Sequence, residues 1–442
     1  MLEVRLAGVT RDVDHPSGGP ETIPAAYARI SRDPRPACEL RAESAAELEK
    51  ARRSNRRIVF EYGHSSIAEH AVFNLDVTGL SRLGAEYLQS FRLASFTEKS
   101  QRYIRLGQDF IVPAEVSVGS RKRFEDSVGR LFELYGEALG LAAESGLGEE
   151  RCREDARYVL PLCTTCQMGM TANARELEHM TRRLRAAPVE EARRLGEELL
   201  KAVAPAAPSL FRHLRPTAMD IAAMTVPASG EGSPPVLLVA GDDDSAVGTY
   251  LLALETGCPP PASEKAWNGL DQAEKRRLFA SALEGIGPHD QVPRPWELAS
   301  FSFLVTLSAS AFAQLKRHRM ATILPGRYEP GLGLSIPPGF ESGRLRGIMD
   351  EAGELSERMA ELLEPAAKGY AMLNAARRRV MVRMNARELY HFTRLRCDIH
   401  AQWEIRALAG GMLEAARGRA PLTMAMAGGK SDFQAAGSQF PV

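Results

Sequence analysis

Cysteine is scarce in this chain, six among 442 residues with no regular spacing, which excludes a disulfide framework and leaves reduced thiols as the expectation. Net charge is absent as well, because 56 Lys plus Arg balance 56 Asp plus Glu. No overall positive field therefore draws the protein to nucleic acid or to an anionic membrane; neither is expected as a partner, and any anion site must be local. No uninterrupted apolar run reaches the roughly 18 residues of a membrane span. The opening Met1-Leu2-Glu3-Val4-Arg5-Leu6 lacks the charged-then-apolar layout of a signal peptide, so a cytoplasmic location is expected. What is present is ordinary for a soluble globular chain, 44% hydrophobic and 25% charged residues, and the length suits two domains of about 200 residues each.

The two domains read as copies of each other. Asn173-Ala-Arg-Glu-Leu-Glu-His-Met-Thr-Arg182 returns as Asn385-Ala-Arg-Glu-Leu-Tyr-His-Phe-Thr-Arg394, with eight of ten positions identical. The strand-like run Leu2 to Val9 is echoed by Pro235 to Gly241, each followed by an acidic turn. The Pro, Ser and Gly stretch Pro227-Ala-Ser-Gly-Glu-Gly-Ser-Pro-Pro235 reads as linker, with a boundary near residue 230. Repeat one is placed at residues 1–215, the linker at 216–234 and repeat two at 235–442. Further expected elements are helices over Ser44–Asn55 with Ser44 as N-cap, Gly79–Gln89, Ser120–Glu144 and Leu345–Glu364, and strands over Val72–Val77 and Leu298–Leu307. The tail from Gly418, rich in Gly, Ala and Ser, reads as an arm or as disordered.

One stretch occurs in both copies with opposite losses. Ser90-Phe-Arg-Leu-Ala-Ser-Phe-Thr-Glu-Lys-Ser-Gln-Arg-Tyr103 keeps Glu98, Ser100 and Arg102 in alternation, which puts a carboxylate, a hydroxyl and a guanidinium on one side of an extended segment. That combination suits a phosphorylated polar ligand. Arg317-His-Arg-Met-Ala-Thr-Ile-Leu-Pro-Gly-Arg-Tyr328 lacks the acid-hydroxyl pair but holds Arg317, His318 and Arg319 in a row. Cys163-Thr-Thr-Cys166 has neither a second pair nor a thioredoxin-like context and reads as core. His64 and His70, with no further ligand at a set spacing, do not make a metal site, and no metal is expected.

These stretches together resemble the signature of the flavin-dependent thymidylate synthases, Arg-His-Arg followed by Ser-x-Asn-Glu-x-Ser-x-Arg, here split between two repeats. The resemblance covers most of both repeats and implies an α+β fold: two tandem copies of a thymidylate synthase-complementing-protein-like domain, with a mostly antiparallel sheet and long helices. It implies reductive methylation of dUMP to dTMP, with FAD as cofactor, NADPH and methylenetetrahydrofolate as co-substrates, and two tandem chains pairing to imitate the family's homotetramer. By this resemblance Gln314, Arg317, Glu98, Lys99, Ser100, Gln101, Arg102 and Arg157 bind dUMP, Arg157 standing in an Arg-x-x-Leu-Pro segment. Arg396 is the catalytic residue, stabilising negative charge on the uracil ring. FAD contacts fall to Arg317, His318, Arg319, Glu98, His64, Ser66, Glu69, Asn173, Arg175, Asn385, Arg387, His391 and His400.

The losses are complementary. Gln314, Arg317 and Arg396 survive only in repeat two, where repeat one has Leu184 in place of Arg396; Glu98, Ser100 and Arg157 survive only in repeat one. That pattern fits one composite site drawing on both repeats. Departures from the signature are Thr97 for Asn, Ser90-Phe91-Arg92 for Arg-His-Arg, and Thr322 for Ser with no Glu-x-Ser after it. Single arginines of such a set would read as surface ion pairs. Two alternatives stay open: a non-catalytic nucleotide- or flavin-binding regulator derived from such an enzyme, and methylation of another pyrimidine nucleotide.

Overall fold

The computed structural model describes residues 2–144, 146, 148–224, 234–328 and 330–432. Residues 227–233 of the expected linker, and with them the boundary near residue 230, lie outside the described residues, as does the tail beyond 432. The chain forms two compact units, Met1–Val226 with Pro337–Leu373, and Pro227–Ile336 with Asn374–Val442.

Each unit is built on a four-stranded antiparallel sheet. The first holds β1 (Glu3–Val9), β2 (Val72–Ser81), β3 (Ala94–Glu98) and β4 (Thr165–Asn173) in the order β1-β2-β4-β3. The second holds β5 (Val236–Gly241), β6 (Ser300–Ser308), β7 (Thr322–Tyr328) and β8 (Arg377–Asn385) in the order β5-β6-β8-β7. The α+β tandem architecture expected from the sequence is the architecture observed. Strand alternation buries one face of each sheet under helices: Phe73, Leu75 and Val77 with Met168 and Met170 in the first, Phe301, Phe303 and Val305 with Val380 and Val382 in the second.

The outer faces differ. In the first sheet, paired residues Arg5, Asp76, Gly169 and Thr97 form one polar row across all four strands. In the second sheet, the row in the same place is Leu237, Leu304, Met381 and Leu324, and Leu324 is 61% exposed. The two copies have therefore kept their inner faces alike while their outer faces diverged.

The first unit contains a segment of repeat two. Helix Gly343–Ala360 packs on helix Arg121–Glu144, burying Met349, Leu355 and Met359 from one side and Val128, Leu131 and Tyr135 from the other. Arg130 clamps Glu351 through Nε (2.7 Å) and Nη2 (3.1 Å), and the amides of Leu162 and Cys163 donate to the carbonyls of Met372 (2.8 Å) and Tyr370 (3.0 Å). Burying each large aliphatic side chain contributes about 1.5–3 kcal/mol, so this seam belongs to the core of the unit. Repeat and folding unit are consequently different divisions of the chain.

Several local expectations need correction. The single helix over Ser44–Asn55 is two, Ala37–Ala46 and Leu48–Arg56, broken at Glu47, whose ψ of 60° is not helical. Ser44 is not a cap; it lies buried inside the earlier helix and accepts from Arg29 Nη2 at 3.1 Å. Gly79 lies inside β2, at φ 65° where the register slips between Val77 and Leu80, a conformation that favours glycine. The helix that follows is Arg82–Leu88, capped by Ser81. Within the described residues the tail is packed: Ala420, Met424 and Ala427 are buried, and Asp244 accepts from the amides of Leu422 (3.1 Å) and Thr423 (2.7 Å). Thr423 O in turn accepts from Trp296 Nε1 (2.8 Å) and Tyr390 OH (2.9 Å). Composition misled here because small residues also suit close packing. No helix among the described residues is long and apolar enough to cross a membrane.

Candidate functional site

In the second unit, Ser308 starts helix Ala309–Leu315 by accepting from the Ala311 amide at 3.1 Å. The helix carries Gln314, 8% exposed, whose Nε2 is buried with no hydrogen-bond partner among the described residues. The chain then turns, and Arg317, His318 and Arg319 separate: the two arginines are exposed and His318 is buried. His318 Nδ1 lies 3.2 Å from Glu388 Oε1, and Arg396 Nε donates to His318 Nε2 at 3.1 Å. Arg396 Nη2 also donates to Gln314 O at 3.3 Å. Burial holds the His318 pKa below its ordinary value; Arg396 and His391 act in the same direction, and Glu388 opposes them.

In the first unit, Glu98 ends β3 and is paired with Arg82, both side chains nearly fully buried; Gln89 Nε2 also donates to it at 3.0 Å. Arg102 Nε meets Glu154 Oε2 at 2.6 Å, and its Nη2 meets Glu150 Oε1 at 3.2 Å. Arg157, 7% exposed, donates Nε to the Glu154 carbonyl at 3.2 Å. Arg102 and Arg157 thus converge on one acidic residue. Burial lowers the Arg157 pKa; Tyr158 and Glu154 oppose it, and the Arg102 and Arg82 charges add a smaller push downward. Gln101 is buried, Lys99 is exposed, and Ser100 Oγ accepts from the Arg102 amide at 3.1 Å.

The residues shared by both repeats make contacts within their own frames. Asn173 and Asn385 cap their helices, accepting from the amides of Glu176 (2.9 Å) and Glu388 (2.8 Å). Arg175 pairs with Glu69, and Arg387 with Glu297 at 2.8 Å; Arg387 also donates to Val292 O (3.0 Å) and Gln291 Oε1 (2.6 Å). His64, Ser66, His391 and His400 are exposed. Cys163 and Cys166 are buried, burial pushing the Cys163 thiol up, and no group of three or more His, Cys, Asp or Glu among the described residues is placed to hold a metal ion.

The model of the family described as thymidylate synthase complementing protein matches residues 13–209 and 256–422. The chain belongs to this family. Its two matched segments agree with the tandem reading. Among relatives, the UPF0159 protein Ta1429 of Thermoplasma acidophilum is 25% identical over 429 residues, covering 80% of this chain and 84% of its own length. The flavin-dependent thymidylate synthase of Geobacter sulfurreducens is 34% identical over 162 residues, 36% of this chain and 67% of the relative. A crystal structure of a UMP/dUMP methylase from Streptomyces cacaoi aligns with 23% identity and a TM-score of 0.38, covering 48% of this chain and 93% of that one.

Three residues of this family member gave little or no sign of their role in the sequence. Arg82 pairs with Glu98, Glu154 gathers Arg102 and Arg157, and Glu388 bonds His318. Arg82 and Glu154 had a signal, since repeat two has Ala309 and Ala366 in their places; Glu388 had none, since repeat one keeps Glu176. Two more acids tie the frame together. Glu191 accepts from Ser81 N (2.7 Å), Ser81 Oγ (2.5 Å) and Tyr370 OH (3.0 Å). Glu404 accepts from Ser308 N (2.9 Å), Ser308 Oγ and Ser335 Oγ (2.7 Å).

Proposed function

We propose that this chain is a flavin-dependent thymidylate synthase that reductively methylates dUMP to dTMP, using methylenetetrahydrofolate and NADPH, through one residue set drawn from both repeats. The observation that carries this reading is the split of the signature: Glu98, Ser100 and Arg157 remain in repeat one alone, Gln314, Arg317 and Arg396 in repeat two alone, and the Arg327 counterpart of Arg102 has lost its neighbours. Random decay of an idle duplicate would not spare a matching set.

The chemistry of the residues fits the ligands. The Arg102 and Arg157 guanidiniums, gathered on Glu154, suit the nucleotide phosphate, which accepts charge-assisted bonds from both. A dianion there would offset the burial that chiefly lowers the Arg157 pKa, together with the lesser repulsion from Arg102 and Arg82. Buried Gln314 Nε2 offers a donor for a pyrimidine carbonyl, and Arg396 stabilises negative charge developing on the ring. FAD would be held by the exposed Arg317, Arg319, His64 and Ser66 together with Glu69, Arg175, Asn173, Asn385 and His400; once reduced, it supplies the hydride. Arg387, already engaged at three acceptors, is the weakest of the flavin candidates.

The test is FAD bound per chain, read from the absorbance of released cofactor with and without saturating dUMP, alongside dUMP-dependent NADPH oxidation in the presence of folate. One FAD per chain and turnover lost in Arg102→Ala and Arg396→Ala are expected. Turnover with UMP instead of dUMP would move the substrate to another pyrimidine nucleotide. Nucleotide or flavin binding without turnover would make the protein a regulator.

A further inference from the structure

We propose that His318 and Glu388 are positioning residues: a directed hydrogen-bond chain, Glu388 to His318 to Arg396, holds the Arg396 guanidinium in its working orientation. The inference rests on the reading of Arg396 as the residue that meets the substrate ring. It gives His318 a role through Arg396, not on the flavin itself.

The direction of the chain follows from what each group can do. A guanidinium only donates, so the contact from Arg396 Nε to His318 Nε2 (3.1 Å) requires that nitrogen to be bare. The ring proton then sits on Nδ1 and is donated to Glu388 Oε1, 3.2 Å away. A carboxylate accepts, so the two ends of the chain agree on one tautomer. The ring has no freedom to turn: it is 4% exposed and is held edge-on against Phe392, with centroids 4.8 Å apart. Arg396 is fixed at a second point by Nη2 on the Gln314 carbonyl. Two anchored N–H directions set the plane of a rigid, planar group.

The first unit provides the control. Phe91 stands in the place of His318 and Leu184 in the place of Arg396, while Glu176 remains in the place of Glu388. There Glu176 turns to His179 (3.4 Å), and Phe91 packs edge-on against the same ring, centroids 5.4 Å apart. The histidine and the arginine are absent together, as expected if each is needed for the other. A histidine that served only packing would have had no reason to leave with the arginine.

The chain also has a breaking point. The charged and titratable groups facing His318 are Glu388, His391 and Arg396, with Arg317 and Arg319 beside it in sequence. A proton added at Nε2 turns the acceptor into a donor, opposes it to the Arg396 Nε–H, and sets two cations side by side. Arg396 is then released, so activity falls on the acid side of the ordinary histidine range.

The experiment uses the full chain labelled with 15N in the histidine rings. Long-range proton–nitrogen correlation at pH 8 reads the tautomer of each ring, and His318 is assigned by its absence in His318→Phe. The expected result is a proton on Nδ1 and a bare Nε2 in the wild type, and a mixed or reversed tautomer in Glu388→Ala. A proton on Nε2 in the wild type, or an unchanged tautomer in Glu388→Ala, would overturn the chain of bonds. Kinetics supply the second arm: misplacing the guanidinium by about 1 Å costs on the order of 10²-fold, so kcat falls by about that factor in both variants while the Kd of dUMP changes less than about threefold. Full kcat in both folded variants would overturn the positioning role. Should the tautomer behave as expected in a protein with no dUMP-dependent turnover, the hydrogen-bond chain stands and the synthase reading falls.

Discussion

Just past the helix that follows β2 or β6, one unit has Phe91 where the other has His318, and at the end of the helix that follows β4 or β8, one has Leu184 where the other has Arg396. The frame around these positions is the same in both. A serine caps the helix and is held by a buried-facing carboxylate, Ser81 by Glu191 and Ser308 by Glu404. An asparagine caps the next helix, and an arginine two residues on pairs with a glutamate before the central strand. Hydrogen bonds to backbone groups are expensive to leave unmade when buried, so the copies keep the residues that supply them. Side chains that served a ligand carry no such penalty and are lost wherever the ligand is lost. On the proposed reading, the difference between the units separates the residues that hold the fold from those that would serve a ligand.

The largest effect should come from Arg396→Ala, with dUMP-dependent turnover falling at least 10²-fold, on the scale of losing one charge-stabilising donor. The reciprocal change, Leu184→Arg in the first unit, should restore nothing, because Phe91 cannot anchor it; steady-state NADPH oxidation reads both. Gain of activity in Leu184→Arg would mean that the first unit's frame is still a competent site.

Next is the exchanged segment. Met359 is fully buried in helix Gly343–Ala360, and Met359→Ala should cost about 2–5 kcal/mol. Hydrogen exchange should quicken in Arg121–Glu144 and leave β6 and β8 unchanged. Faster exchange in β6 and β8 instead would assign the segment to the second unit.

The two asparagine caps make a finer comparison. Asn173→Ala and Asn385→Ala should each cost about 1 kcal/mol, seen as equal shifts in urea denaturation. A drop in bound FAD at one of them, beyond its stability loss, would identify that asparagine as a flavin contact as well as a cap.

Sequence alone made the duplication and the complementary losses legible, because these are patterns of residue type along the chain; the α+β class followed from the family resemblance. It gave no sign that helix Gly343–Ala360 completes the first unit, since an amphipathic helix does not specify which partner its apolar face meets. The inward turn of His318 between two outward arginines was hidden for a similar reason: three polar neighbours in sequence look alike until the loop geometry sorts them. Arg175 and Arg387 stand in the flavin set through the family resemblance, and their ion pairs with Glu69 and Glu297 are contacts that the sequence did not disclose. Glu388 and Glu404 lie in segments that match the family, yet only the three-dimensional neighbours disclose what they hold.

The smallest effect separates the two buried-facing carboxylates. Burial is the leading influence on Glu191 and raises its pKa, against the hydrogen bonds from Ser81 and Tyr370. A carboxylate raised in the folded state contributes stability that is fully present below its unfolded value of 4.5 and is lost as pH rises through the folded value. Glu191→Gln cannot ionise and escapes that loss, so it should match the wild type below pH 4.5 and exceed it slightly at neutral pH. Glu404 has a different neighbour: its partner Ser335 Oγ also accepts from Arg377 Nε at 3.0 Å, which places a cation one bond away. Glu404→Gln weakens that charge-assisted link and should lower stability at neutral pH. Urea midpoints for both variants at pH 4 and pH 7.5 check the contrast. Equal losses in the two variants at pH 7.5 would mean that Glu191 is ionised and as firmly held as Glu404, and that the two copies of this frame have not diverged.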